Sequence, residues 1–217
     1  MEGYKEILAE KGLVEIDLRS FPDQNLLDIA SLFGRIVPGA RGEIIQLLPA
    51  RDKGYGPIGS FSYTAGYGAF PWHTDTAYWP IPARYLLLTS DKSSPCATLY
   101  QDFNVIKAAI PNLDYLMSRA VFMLNIPGRK RYLSAFFHGE NGKRGYRLDF
   151  HIYRPMNKEA HQIMEKINAL LSNEFNRILW TGTNAVIIDN WRFIHAREDA
   201  FRDKTRILKR IYINELV

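Results

Sequence analysis

The chain has 217 residues, of which 47% are hydrophobic and 24% charged, with a formal net charge of +5. This composition is typical of a globular protein with a sizeable core, and it excludes disordered and collagen-like chains. The longest apolar runs, Tyr85–Leu88 and Ala185–Ile188, are too short to span a bilayer, and the first residues lack a signal-peptide pattern. Cys96 is the only cysteine, so no internal disulfide can form. We therefore expect a cytoplasmic protein with no membrane partner.

The predicted elements are mainly short strands, interrupted by a few helices. In chain order we expect a helix over 2–11, a strand over 12–18, a helix with Asp23 as N-cap, and strands over 43–48, 70–78, 83–89 and 97–100. Next come helices over 103–110 and 111–118, strands over 121–126, 132–137 and 145–153, a helix over 158–171, and strands over 178–180, 185–189, 193–196 and 205–214. The glycine- and aromatic-rich stretch Pro49–Pro71 is expected to be irregular, either a lid or a surface insertion.

This order of elements lacks the alternation of strands and helices that builds parallel sheets, which argues against Rossmann and TIM-barrel folds. Neither repeats nor linkers interrupt the pattern. The sequence predicts one domain over residues 1–217, mainly β with flanking helices, in a double-stranded β-helix or jelly roll. In such a fold, inward side chains from distant strands meet at a shared cavity.

One short motif, His73-Thr74-Asp75, places an imidazole and a carboxylate two residues apart. On an extended strand, residues two apart point to the same side, so both groups would converge on one point. A convergent His and Asp supplies two-thirds of the 2-His-1-carboxylate triad that holds iron(II). The alternative is an exposed strand histidine beside an unrelated aspartate.

His195 is the best candidate for a third ligand. It follows the apolar strand 185–188 and the turn signal Asp189-Asn190, on what we predict to be the returning strand of a hairpin. By itself, a histidine in this position is more often a hydrogen-bonded core residue than a metal ligand, and that alternative applies to His195. His138 and His161 are predicted to lie on the surface. We expect His151 to share a strand face with Arg147 and Asp149, either near the site or in solvent.

The last predicted strand has two different faces. Alternation places Arg206, Leu208, Arg210 and Tyr212 on one side, and Ile207, Ile211 and Ile213 on the other. A buried guanidinium requires an anion, ideally a carboxylate held by two parallel hydrogen bonds. Two alternatives are a solvated face and, because basic residues crowd this part of the chain, a nucleic-acid surface.

The combined order and spacing of three motifs resembles one superfamily. His73-x-Asp75, the segment Asp189–Arg197 and the pair Arg206 and Arg210 are similar to those of iron(II)/2-oxoglutarate-dependent dioxygenases of the taurine dioxygenase and clavaminate synthase-like superfamily. The resemblance implies that His73, Asp75 and His195 are the iron ligands. It further implies that Arg206 and Thr98 bind the distal carboxylate of 2-oxoglutarate, and that Arg210 binds an acidic group of the substrate. The residues before Thr98, Pro95-Cys96-Ala97, depart from the family pattern.

The resemblance also implies a reaction. We expect an oxygenase that uses Fe(II), 2-oxoglutarate and O2 to oxidise, most often to hydroxylate, an unactivated C–H bond. Its substrate would be a small acidic molecule such as an amino acid or a natural-product intermediate. Halogenating relatives lack the carboxylate ligand, so Asp75 favours oxygenation. The alternatives are a non-catalytic jelly-roll binding protein, a nucleic-acid demethylase of the same chemistry, which usually carries an Arg-x-Asn-x-Thr-x-Arg segment that is absent here, and a cupin that uses the metal without 2-oxoglutarate.

Overall fold

Two antiparallel sheets form the centre of the fold. The computed structural model describes residues 2–55, 61–124, 130–139 and 142–215. The helices are α1 (Glu2–Lys11), α2 (Leu26–Ser31), α3 (Phe61–Ala65), α4 (Phe103–Ala109), α5 (Leu113–Arg119) and α6 (Lys158–Leu171). The strands are β1 (Leu13–Asp17), β2 (Arg35–Val37), β3 (Gln46–Pro49), β4 (Phe70–His73), β5 (Tyr85–Thr89), β6 (Ser93–Asp102), β7 (Val121–Leu124), β8 (Tyr132–Ser134), β9 (Phe136–His138), β10 (Arg144–Tyr146), β11 (Tyr153–Pro155), β12 (Asn176–Thr181), β13 (Asn184–Asp189), β14 (Phe193–Arg197) and β15 (Ile207–Asn214).

The larger sheet has the strand order β1-β13-β5-β15-β2, and β3 also pairs with β15. The smaller sheet has the order β12-β6-β14-β4. The two sheets pack face to face, because Leu88 and Val186 of the larger sheet share a buried cluster with Ile178 and Trp180 of the smaller one. This arrangement is the predicted double-stranded β-helix, and its interior carries the candidate site.

The outer faces of the sheets are covered by helices. Leu87, Ile187 and Ile211 alternate with the inward residues and pack against Leu8 of α1 and Ile29 of α2. A separate cluster joins α4, α5 and α6 to the strands β7 and β11. Each such aliphatic side chain contributes about 1.5–3 kcal/mol of burial free energy. The helices therefore hold the sheets in place while leaving the space between them for a site.

Several predicted elements are confirmed. Helices α1 and α6 have the predicted bounds, and Gly12 follows α1 with the positive φ of +73° that favours glycine. In β15, Leu208 and Tyr212 face the smaller sheet, whereas Ile211 and Ile213 face the helices, as strand alternation requires. His138 and His161 are exposed. None of the described helices combines the length and apolarity needed to cross a membrane.

Two predicted strands are wrong in extent. The strand over 70–78 ends at His73, because Thr74 and Asp75 then bond to Leu148 and to the side chain of Asn190 instead of to a strand partner. The strand over 145–153 is interrupted between β10 and β11. There the Asp149 carboxylate accepts the N–H groups of His151 and Ile152, which makes a turn.

Other predictions fail for similar local reasons. The N-cap of α2 is Asn25, which forms a capping box with Asp28, and the predicted cap Asp23 lies two residues outside it. The predicted hairpin around Asp189 and Asn190 does not form, because β13 and β14 belong to different sheets. The turn between them moves the chain from the larger sheet to the smaller one. Within the stretch predicted to be irregular lies the short helix α3.

Candidate metal and anion site

The structure brings His73, Asp75 and His195 together. His73 ends β4 and His195 lies opposite it on β14, as partners in an antiparallel pair. All three side chains are buried, and their potential ligand atoms lie within 4.8 Å of one another. The imidazole rings have a centroid distance of 4.3 Å, and His195 Nε2 is 3.5 Å from Asp75 Oδ2. Two imidazoles and one carboxylate on a single face are the donor set that suits non-haem iron(II).

The environment of His73 leaves one ring nitrogen with a lone pair. Its Nδ1 lies 2.9 Å from the carbonyl oxygen of Pro71. A carbonyl can only accept, so Nδ1 carries the hydrogen and Nε2 is the unprotonated nitrogen. Burial, followed by the nearby His195, lowers the pKa of His73 to about 3. The imidazole is therefore neutral at physiological pH, as a metal ligand must be.

Asp75 is ionised although it is buried. Burial would raise its pKa, but the Arg210 guanidinium and His195 together hold the pKa of this carboxyl below its usual range. Arg210 Nη1 donates to Asp75 Oδ1 at 2.5 Å, which leaves Oδ2 facing His195. Among the described residues, His195 Nδ1 is buried without a hydrogen-bond partner. Two buried imidazoles and an ionised carboxylate thus lie together, and this donor set fits a bound metal ion.

A buried asparagine connects the two segments that carry the ligands. Asn190, in the turn between β13 and β14, accepts a hydrogen bond from the Asp75 N–H at 2.8 Å. Its amide donates to the carbonyls of Asp75 at 3.0 Å and Ala83 at 2.9 Å. Thr76 follows with a positive φ of +53°, and its hydroxyl accepts the Ala83 N–H. The Asn190 amide therefore stabilises the irregular backbone that aims Asp75 at the two histidines.

Replacing Asn190 with alanine is expected to lower the free energy of unfolding by about 3 kcal/mol, because three buried backbone groups lose their partner. Urea unfolding followed by circular dichroism measures the change. Asn173→Ala is the matched control, since Asn173 is exposed and, among the described residues, its side chain bonds to the neighbouring Ser172 alone. We expect the control to change stability by less than about 0.5 kcal/mol. Equal effects in the two variants would contradict the role assigned to Asn190.

Arg206 and Thr98 form a second polar group in the same cavity. Arg206 is 5% exposed and donates from Nε to the Cys96 carbonyl and from Nη2 to the Thr98 hydroxyl, at 3.1 and 3.4 Å. Burial lowers the pKa of Arg206 to about 10, so it keeps its charge. In the described part of the chain it forms no ion pair with a carboxylate. The Thr98 oxygen also accepts from Trp180 Nε1, which leaves its own hydrogen for another acceptor. Both side chains can therefore donate to an anion.

Arg210 directly contacts the group formed by His73, Asp75 and His195, which is called the metal cluster from here on. Its Nε and Nη2 donate to Gln46 Oε1 at 3.2 and 2.6 Å, while its Nη1 donates to Asp75. The two terminal nitrogens each retain a second N–H. Binding of an acidic substrate group by Arg210 stays a prediction. The structure adds a different role, since Arg210 fixes the orientation of the Asp75 carboxylate.

Sequence reasoning missed three residues of this region. Gln46 carried no signal because its contact with Arg210 crosses two strands. Asn190 was identified only as a turn residue. Asp149 was assigned to a strand face with Arg147 and His151, which is wrong, because Arg147 instead donates to the carbonyls of Trp79 and Pro80. His151 lies against Thr64, with 3.0 Å between Nε2 and Oγ1. Asp149 itself lines the cavity.

The cavity between the sheets has a volume of about 280 Å³. Its wall includes the three clustered ligands, the pair Thr98 and Arg206, and Asp149. Leu48, Leu88 and Leu208 of the larger sheet complete an apolar side. This is space for a small organic molecule, with polar groups at defined points and an apolar wall between them.

No protein-family model matches this sequence, and none of the curated proteins does. Solved structures do match. Asparagine oxygenase in complex with Fe(II), hydroxyasparagine and succinate is similar at a TM-score of 0.72 and 14% identity, over 98% of this chain and 77% of that one. The non-haem iron oxygenase OrfP in complex with Fe is similar at a TM-score of 0.71 and 17% identity, over 100% and 81%. OrfP with Fe and α-ketoglutaric acid gives 0.70 and 17%, over 100% and 80%. The chain therefore has the jelly-roll fold of these oxygenases.

Proposed function

We propose that this chain is an Fe(II)- and 2-oxoglutarate-dependent oxygenase that oxidises, most often hydroxylates, an unactivated C–H bond of a small molecule. The observation that carries the proposal is the buried cluster of His73, Asp75 and His195 beside a buried arginine without a carboxylate partner in the described residues. A metal site and an anion site in one cavity match the two groups that this chemistry requires. The fold is shared with an oxygenase solved with Fe and α-ketoglutaric acid, which supports the proposed use of iron and 2-oxoglutarate.

Each residue has a role in this proposal. His73, Asp75 and His195 would hold the iron through two neutral nitrogens and one carboxylate oxygen. Arg206 and Thr98 would bind the distal carboxylate of 2-oxoglutarate through charge-assisted hydrogen bonds. When bound together with dioxygen, the iron and 2-oxoglutarate would supply the oxidising power for C–H oxidation. The apolar wall of the cavity would orient the target carbon and exclude water.

The proposed substrate is an amino acid or a similar small acid. A cavity of about 280 Å³ admits molecules of this size. The related structures were solved with hydroxyasparagine and hydroxy-arginine, which are hydroxylated amino acids. Arg210 would contact the substrate carboxylate through its remaining N–H groups while it holds Asp75.

The surroundings of the site support two further proposals. We propose that residues 1–217 form one domain and that segment 55–72, of which 56–60 lie outside the described residues, acts as a lid. Arg197 Nη2 donates to the carbonyls of Gly66 and Gly68 at 2.7 and 2.6 Å, which ties the end of this segment to the cavity wall. A cytoplasmic setting stays a prediction, based on the single cysteine, Cys96.

A nucleic-acid substrate is less well supported. Three of the seven basic residues from Arg192 onward pair with carboxylates of the chain: Arg192 with Asp102, Lys209 with Asp91 and Arg210 with Asp75. Arg206 is buried in the cavity wall and is not available to a nucleic-acid backbone outside it. These four charges therefore do not contribute to a basic surface. Binding to DNA or RNA that weakens with salt would revive the demethylase alternative.

The proposed function is tested by adding iron(II) and 2-oxoglutarate to the metal-free protein without oxygen. We expect a visible metal-to-ligand charge-transfer band that requires both additions. After oxygen is admitted, succinate release is measured across a panel of amino acids and small acids, with ascorbate present. A non-catalytic binding protein would release no succinate. A band that is absent, or succinate formation equal to that of a protein-free control, would overturn the proposal.

A further inference from the structure

Asp149 is a buried carboxylate in the cavity wall that the proposed chemistry does not use. It is 1% exposed and forms an isolated β-bridge with His73, which places it beside the metal cluster. Its Oδ1 accepts the N–H groups of His151 and Ile152 at 2.8 and 3.0 Å. Among the described residues, its Oδ2 receives no hydrogen bond, and no Lys, Arg or His nitrogen pairs with it.

A buried carboxylate is normally paired with a cation, because removal of its charge from water is costly. The nearest arginine in the sequence, Arg147, is directed elsewhere, since its guanidinium donates to backbone carbonyls of residues 77–80. Burial, followed by the nearby Asp75 charge, raises the pKa of Asp149 to about 7, and a positively charged partner in the cavity would favour its ionised form. The described side chains supply no such positive charge to Asp149, although the residue lines the cavity.

The turn at this position does not explain the choice of aspartate. The two N–H groups that Asp149 accepts go to one oxygen, and an asparagine Oδ1 would accept them equally well. Asparagine would also avoid the repulsion from Asp75. The turn uses only Oδ1, and among the described residues Oδ2 remains without a partner.

We infer that Asp149 is a specificity-determining residue that binds a positively charged nitrogen of the substrate, a protonated amine or a guanidinium. This inference rests on the proposed function, because it assumes that a substrate enters the cavity beside the metal cluster. The substrate nitrogen supplies the cation that the protein omits, and a charge-assisted hydrogen bond to Oδ2 fixes the substrate relative to His73 and Asp75. Molecules that lack the positive nitrogen leave a buried carboxylate unpaired and are rejected.

The test compares wild type with Asp149→Asn by isothermal titration calorimetry, in the presence of iron(II) and 2-oxoglutarate without oxygen. The probes are pairs that differ in one charged nitrogen: L-lysine with L-norleucine, L-arginine with L-citrulline, and L-leucine with 4-methylpentanoate. The first two pairs examine a side-chain nitrogen and the third examines the α-amine. We expect wild type to bind the charged member of at least one pair at least tenfold more tightly. In Asp149→Asn this preference should fall to less than about threefold.

Asp23→Asn serves as the control, because it removes the same charge from an exposed position. It should keep the wild-type preference. If no pair is discriminated by wild type, or if Asp149→Asn keeps the preference, the inference is overturned. The charge-transfer band, recorded first on each protein, separates the two failures. A missing band in wild type contradicts the proposed function, whereas a normal band without discrimination contradicts only the role of Asp149.

Discussion

Replacement of His195 by alanine is expected to weaken iron(II) binding by more than about 100-fold and to abolish the charge-transfer band with 2-oxoglutarate. Loss of a group that only supports a metal ligand costs about 10–100-fold in affinity, so loss of a ligand itself should cost more. The measurement is anaerobic titration of the metal-free protein with iron(II). His73→Ala should behave in the same way, because both imidazoles face the same point.

His161→Ala is the matched control for the ligand variants. His161 is exposed on α6 and does not line the cavity, so its removal should leave the titration unchanged. Circular dichroism of each variant checks that the fold survives. A normal band in folded His73→Ala or His195→Ala would refute the ligand assignment.

The second large effect is expected from Arg206→Gln. Two charge-assisted hydrogen bonds to a carboxylate contribute about 3–5 kcal/mol together, so the dissociation constant for 2-oxoglutarate should rise by roughly 10²–10⁴-fold. Affinity for iron(II) alone should stay within about threefold, because Arg206 has no contact with the metal cluster among the described residues. Fluorescence or calorimetric titration with each ligand separates the two effects.

Arg202→Gln provides the comparison for this experiment. Arg202 is exposed and lies only four residues before Arg206, so the control removes the same charge from the same part of the chain. Its affinity for 2-oxoglutarate should match that of wild type. If both variants bind 2-oxoglutarate normally, the anion site lies elsewhere in the cavity.

Periodic features of the sequence were the most predictable part of the structure. The alternation in β15 correctly separated Leu208 and Tyr212 from Ile211 and Ile213, because one face meets a sheet and the other meets helices. Helix α6 had the predicted bounds, because its apolar residues recur every three to four positions and Asn157 caps it. The structure also brings His73, Asp75 and His195 together, and their role as iron ligands stays a prediction.

The route to that convergence was not predictable from strand geometry. Asp75 reaches the cluster from an irregular segment after β4, held by an amide 115 positions away in the chain. Local alternation contains no information about such a distant hydrogen bond. The same limit applies to Arg210, whose contacts with Gln46 and Asp75 span 164 and 135 positions. Turn chemistry explains the break at Asp149, where a side chain competes with the strand ladder for backbone N–H groups.

Strand β15 also sets the distance between two arginines. Arg206 immediately precedes the strand and Arg210 lies within it, four residues further on, which is about 13 Å at the usual strand rise. Arg210 is paired in register with Gln46 and Leu88 and donates a hydrogen bond to Asp75, so its position is fixed at the metal cluster. In the proposed function, Arg206 at the other end would bind the distal carboxylate. The backbone spacing would then favour a five-carbon 2-oxo diacid over a shorter or longer homologue, and a slip of two residues in the pairing of β15 would move this limit by about 7 Å.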